Sequence, residues 1–222
     1  DSDNVWEDAA AVDGHVYAGW TYDYFYKRFG RKGLDGQDLR MASLIHPVRR
    51  EDVLSQPSDI VGTFYLNAFY YGNGIMVYGE GLPTNLFAGG YKWNYFAGAL
   101  DVVAHELSHG VTDFSSELVY RNESGALNEA FSDIMGVSAE FYFQDTGTGY
   151  MKADYLIGED LTSPIGGFRS MSNPQAYGDP DHYSRRYLGT ADNGGVHINS
   201  GIPNHAFYLA IEGGTNRTSG IA

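Results

Sequence analysis

The chain has 222 residues, enough for one large domain or two small lobes, and its 43% hydrophobic and 19% charged residues give it the composition of a globular protein. A nucleic-acid reader normally shows a basic face, which a formal net charge of −14 argues against, and no apolar run approaches the roughly 20 residues a spanning helix needs, so nucleic-acid and membrane-spanning roles are set aside. There is no cysteine, hence no disulfide and no thiolate metal site; any zinc must be held by His, Asp or Glu, while the 28 acidic residues suit both a solvated surface and clusters for hard cations such as calcium.

Ala9 to Phe29, rich in Ala, Tyr and Trp, reads as a helix stopped by Gly30, and a polar turn follows over Arg31 to Gln37. Val48 to Asp59 is charged, carries Pro57 and reads as a loop. Val61 to Tyr71, rich in aromatic and β-branched residues, predicts a strand. Ile75 to Tyr78 predicts another, with Gly72-Asn73-Gly74 as the hairpin turn between them. Ala97 to Thr112 is apolar at helical spacing, and Ala126 to Tyr142 predicts a further long helix. Thr162 to Gly195 is rich in Gly, Pro, Asn and Ser and reads mostly as loop; Pro203 to Glu212 predicts a last helix ended by Gly213-Gly214. The order implies an α+β fold. A β-containing part over residues 1–112 and a mainly helical part over 113–222 would flank a cleft.

His105-Glu106-Leu107-Ser108-His109 carries the chemistry. On a helix the two histidines stand about 40° apart in projection and about 6 Å apart along the axis, so both rings can reach one ion. Glu106, about 100° round from His105, can reach a water there but is badly placed as a ligand. A catalytic zinc takes three protein ligands and keeps one position open. Glu129, in Asn128-Glu129-Ala130-Phe131-Ser132-Asp133, is the candidate third ligand. Asp133, one turn on, can orient a ligating histidine. The bland alternative is a helix with two histidines beside another with a solvated acidic stripe, but carboxylates in an apolar helix usually have partners.

His-Glu-Leu-Ser-His followed by Asn-Glu-Ala-Phe-Ser-Asp resembles the gluzincin pattern of the thermolysin family, and the resemblance runs from Asp1 to about Gly214. It implies a zinc endopeptidase, secreted and extracellular, in which Glu106 is the general base toward a metal-activated water. It implies a zinc site of His105, His109 and Glu129, supported by Asp133 and Asn128. His197, oriented by Asp192, and Tyr120 match family residues that stabilise the oxyanion. Arg169 matches one that binds a substrate carbonyl, and Asn67-Ala68 the strand edge that pairs with substrate backbone. Val102, Ile157, Leu161 and Phe168 would wall a pocket for a bulky apolar residue just after the cut. Asp101, Glu140, Asp154 and Glu159 match calcium ligands; Leu156 stands at a further acidic position and offers only a carbonyl, so one ion is expected there. Asp1 and Asp3 match a weaker calcium site. Peptides or unfolded proteins are the implied substrates, and a monomer is expected. The family's catalytic region has more β structure before Asp1 and more helices after Ala222, so the chain is expected to be a piece of it, either alone or associated with the remainder. Two rivals stay open: an inactive relative that binds peptide or metal without cutting, and a calcium-binding structural module.

Overall fold

The computed structural model describes residues 6–222. Helix α1 spans Ala9–Phe29. Asp8 caps it by accepting from the Ala11 N–H at 2.8 Å, and Gly30, at φ 68°, ends it by returning its N–H to the Phe25 and Tyr26 carbonyls. Strand β1, Ala42–Leu44, follows.

The loop expected over Val48 to Asp59 is instead a 3₁₀ turn, Arg50–Ser55, and the start of helix α2, Ser58–Phe64. The strand expected from Val61 therefore begins only at Ala68, as β2, Ala68–Gly72. Pro57 sits just before the first turn and Asp59 within it, both helix-start signals. Ile60, Val61 and Phe64 repeat at helical spacing and pack on Val53, Tyr65 and Leu82. This burial overrides their β propensity.

Strand β3, Ile75–Tyr78, pairs antiparallel with β2 across the foreseen Gly-Asn-Gly turn, where Asn73 and Gly74 have positive φ. Its other side takes β1 in parallel, so, among the described residues, the sheet order β1-β3-β2 leaves β2 with one free edge. Next come β4, Lys92–Trp93, helix α3, Leu100–Asp113, and helix α4, Asn122–Phe143. The short strands β5, Leu156–Ile157, β6, Thr162–Ser163, and β7, Arg169–Ser170, form antiparallel pairs β4–β6 and β5–β7. Helices α5, Asp192–Asn199, and α6, Gly201–Glu212, complete the described residues. The fold is thus α+β, with the three-stranded sheet in the N-terminal half and a mainly helical C-terminal half. No helix is long and apolar enough to cross a membrane among the described residues.

Helix α3 is the axis of the core. Leu100, Val103, Ala104 and Leu107 are fully buried between α1 and α4. Helix α4 approaches so closely at Gly136 that a Cβ there would stand 2.6 Å from the Asp101 carbonyl oxygen. A methyl group must part the helices. Gly136→Ala is therefore expected to lower stability by about 1–3 kcal/mol, read by urea unfolding. An unchanged midpoint would mean that this contact sets nothing.

Candidate metal centre and cleft

Helices α3 and α4 bring three donors to one point. His105 Nε2 and His109 Nε2 are 3.0 Å apart, and the two Glu129 oxygens each lie 3.4 Å from one of these nitrogens. Donors on a tetrahedral zinc at about 2.0–2.1 Å would be about 3.3 Å apart, so the set fits that ion. The far sides of both rings are occupied. His105 Nδ1 is 2.8 Å from Asp133 Oδ1, and His109 Nδ1 is 2.7 Å from Asn128 Oδ1 and 3.2 Å from Ser132 Oγ. With each Nδ1–H donated outward, two Nε2 lone pairs and a buried carboxylate face each other. Among the described residues Glu129 Oε2 has no hydrogen-bond partner. Only a cation or bound protons relieve such an arrangement. Accordingly, burial opposes charge on His105, yet the Asp133 and Glu129 carboxylates push it up to about 10. Burial likewise opposes charge on Glu129, yet the histidines hold it well below the usual range.

Asp133 is buried and takes more than His105. Arg169 donates to it twice, Nε to Oδ2 at 2.9 Å and Nη2 to Oδ1 at 2.6 Å, and Asn204 Nδ2 donates to Oδ2 at 2.8 Å. Despite burial, Arg169 and His105 hold its carboxyl below the usual range. Asn204 was not foreseen. It lies in a mostly apolar helix, and no local spacing marks it.

The backbone from Asp192 to Gly195 runs through four left-handed residues before α5 proceeds. This bend lets the Asp192 carboxylate accept from both His197 Nδ1, at 2.7 Å, and the His197 backbone N–H, at 2.8 Å. His197 Nε2 lies 3.2 Å from the Tyr120 hydroxyl and 3.4 Å from Glu129 Oε1, and Tyr120 donates to that same oxygen. Tyr120, His197 and the triad thus share one spot. Glu106 lines the cleft beside it.

The cleft measures about 630 Å³, and Asn67, Ala68, Val102, Ile157, Phe168 and Arg169 all line it. Leu161 does not; it is buried in the core behind. Trp93 and Phe96 line the cleft and were not foreseen, since a two-residue strand and a 3₁₀ turn leave no periodic signal.

A second group lies at the far end of α4. Glu140, Glu159 and Asp160 converge within 4.8 Å. Both oxygens of Glu140 and of Glu159, and Asp160 Oδ2, are buried without hydrogen-bond partners among the described residues. Asp160 is an unforeseen member. Asp101 instead spends its oxygens on the Val102 and Gly158 N–H groups, at 2.7 and 2.6 Å, and Asp154 accepts from the Leu156 N–H at 2.6 Å. Asp1 and Asp3 lie outside the described residues. Burial first, and repulsion among these acids second, pushes Glu140, Glu159 and Asp101 upward. Oxygen donors without protein partners suit a hard divalent cation.

Family models described as "Thermolysin metallopeptidase, catalytic domain" and "Thermolysin metallopeptidase, alpha-helical domain" match residues 1–113 and 116–222. Similar sequences include a "Thermolysin" of Alicyclobacillus acidocaldarius subsp. acidocaldarius, 48% identical over 94% of this chain and 34% of the relative. A "Bacillolysin" of Brevibacillus brevis is 45% identical over 100% of this chain and 37% of the relative. The chain spans about a third of the length of these curated relatives. The fold is similar to that of the "Precursor of Protealysin, Metalloproteinase from Serratia proteamaculans", with a TM-score of 0.73 and 36% identity, covering 95% of this chain and 62% of that one.

Two outcomes follow from the buried charges. Asp133→Asn leaves Arg169 without its counter-charge and the His105 ring with a neutral, weaker acceptor. It is expected to cost about 3–5 kcal/mol in urea unfolding and to weaken zinc binding about 10- to 100-fold in competitive chelator titration. Wild-type zinc affinity would refute the coupling. In chelator, the folded state retains protons on Glu140 and Glu159 that the unfolded chain releases above the ordinary carboxylate range. Stability should therefore fall as pH rises, and His105, raised above its unfolded value, adds loss in the same direction. Thermal midpoints at about pH 5 and about pH 8, with and without added calcium, check this. Calcium should raise the midpoint more at the higher pH; an equal effect would dissociate the acids from the cation.

Proposed function

The chain belongs to the thermolysin metallopeptidase family, and on that premise we propose that it is the zinc-binding part of an endopeptidase that hydrolyses internal peptide bonds, preferentially before bulky hydrophobic residues. One observation carries the reading: His105, His109 and Glu129 aim their donors at one point within a cleft that Glu106 also lines. These three side chains would hold the zinc. A zinc ion bound there supplies Lewis acidity toward a water and a peptide carbonyl.

The chain's own groups do the rest. The free edge of β2 from Ala68, with Asn67 just before it, takes the extended substrate backbone as an added strand. Arg169, its fork anchored on Asp133, keeps Nη1 for a substrate carbonyl. The Glu106 carboxylate removes a proton from the attacking water and returns it to the leaving nitrogen. Tyr120 O–H and His197 Nε2–H donate to the oxygen on which negative charge develops. Because His197 Nδ1–H is committed to Asp192, donation from Nε2 requires the imidazolium form.

The acidic group at Glu140, Glu159 and Asp160, with Asp101 and Asp154, whose charges act on Glu140, and with the Leu156 carbonyl, is read as a structural calcium site. Residues 1–112 and 113–222 are read as the two lobes flanking the cleft. Peptides and unfolded proteins are the substrates, the working state is a monomer, and the place of action is outside the cell.

Replacing Glu106 by Gln should leave zinc content unchanged by elemental analysis while casein cleavage falls by about 10²- to 10⁴-fold. A Glu106→Gln protein that digests casein at the normal rate would remove the base from its role. A wild-type protein that holds zinc and binds peptide without cutting it would favour the inactive-relative reading.

A further inference from the structure

His197 stands on a helix that cannot hold its own shape. Asp192, Asn193, Gly194 and Gly195 have left-handed backbone, so residues 196–199 are the only regular turn of α5. A single turn is far too short to persist by its own hydrogen bonds. Left-handed Asp192 and Asn193 bear a Cβ, and such residues keep that conformation only where their surroundings impose it. Ala191 before the helix makes no side-chain capping bond. The place of His197 is therefore set by what packs against α5.

Two sides do so. On one, α5 is seated on the start of α4: Val196 is fully buried, and a Cβ on Gly125 would stand 2.5 Å from Val196 Cγ1. On the other, the buried Asn199 pairs with the backbone of Tyr187. Its Oδ1 accepts from the Tyr187 N–H at 2.7 Å, and its Nδ2 donates to the Tyr187 carbonyl at 3.0 Å. An amide matched to both groups of one residue has its orientation fixed. The Tyr187 ring then returns to the bend of the same helix, where a Cβ on Gly195 would stand 2.5 Å from Tyr187 Cδ1. Tyr187 thus grips both ends of the turn, its backbone on Asn199 and its ring on Gly195. His197 lines the cleft, whereas Asn199 and Tyr187 do not.

Resting on the protease reading, we infer that Asn199, through its pairing with Tyr187, is a positioning residue for His197, anchoring the turn from which the imidazole reaches the oxyanion spot. Asp192 cannot do this alone. It fixes the imidazole relative to the bend, but it belongs to that bend and moves with it. Asn199 ties the turn to a separate segment and so keeps His197 Nε2 at 3.2 Å from the Tyr120 hydroxyl. A stabilising donor displaced by about 1 Å costs up to about 10²-fold in rate. The loss falls on kcat rather than KM, because the donor meets charge only as it develops.

The test compares kcat and KM on one peptide for the zinc-loaded wild type, Asn199→Ala, His197→Ala and the double variant. Asn199→Ala should lower kcat about 10- to 100-fold with KM changed by less than about twofold. In the His197→Ala background the same change should cost less than about twofold, because nothing is left to position. Tyr187→Ala should reproduce the loss, and Tyr187→Phe, which returns the ring, should restore most of the rate. Thermal midpoints identify a variant that fails to fold; if that is Asn199→Ala, the two Tyr187 variants decide. A crystal structure of the Asn199→Ala protein reads the anchor without turnover and should show His197 Nε2 shifted by about 1 Å or more from its place beside Tyr120. An unchanged kcat, an equal loss in both backgrounds, or an unmoved imidazole overturns the inference. A wild type that does not cleave sinks the protease reading, and a His197→Ala protein with normal kcat removes His197 from it. In either case the crystallographic shift alone upholds or overturns the anchor.

Discussion

Asp133 lies where four elements meet. From α4 it accepts hydrogen bonds from His105 of α3, from Arg169 of β7 and from Asn204 of α6. A carboxylate with almost no exposure has no water to balance it, so each donor answers a requirement that the others cannot fully meet. In return it fixes the His105 ring and the Arg169 fork. The aim of the metal donors is thus set by residues as distant in sequence as Asn204, and the site's precision belongs to the packing of the whole helical half.

Helix α4 carries two opposite electrostatic problems. Near its start, Glu129 and Asp133 face histidines and an arginine and are held ionised. Near its end, Glu140 is buried among other acids, Asp101, Glu159, Asp160 and Asp154. Between the two lies Gly136, pressed on the backbone of Asp101, whose carboxylate reaches across to the Gly158 N–H beside Glu159. The close contact of α3 and α4 at Gly136 therefore lies between the two sites and touches Asp101 of the acidic end.

Much of this was legible because helices write a local period into sequence. His105 with His109, and Glu129 with Asp133, obey one-turn spacing, and the apolar residues around them announced burial. α1 was read to its last residue because Gly30 is an unambiguous stop. Where side chains answer to tertiary neighbours, the signal failed. Val61 and Phe64 look like strand residues, yet their partners are Val53, Tyr65 and Leu82, and only that cluster makes them helical. Asn204 and Trp93 matter through contacts no spacing encodes. Among Asp101, Asp154, Glu159 and Asp160, which oxygens converge depends on the path of a turn. The structure turns Asp160 Oδ2 toward the cluster while its Oδ1 accepts from the Met151 N–H, and the first two serve backbone amides.

The unpaired side of β2 has a wider implication. Main-chain donors and acceptors at a strand edge are blind to the identity of the chain that docks on them. If the cleft cuts what it binds, an unravelled copy of this same molecule is as acceptable a guest as any foreign polypeptide. The population then consumes whichever members lose their shape. Persistence in solution becomes a matter of how seldom each copy opens, and firm folding serves as self-defence.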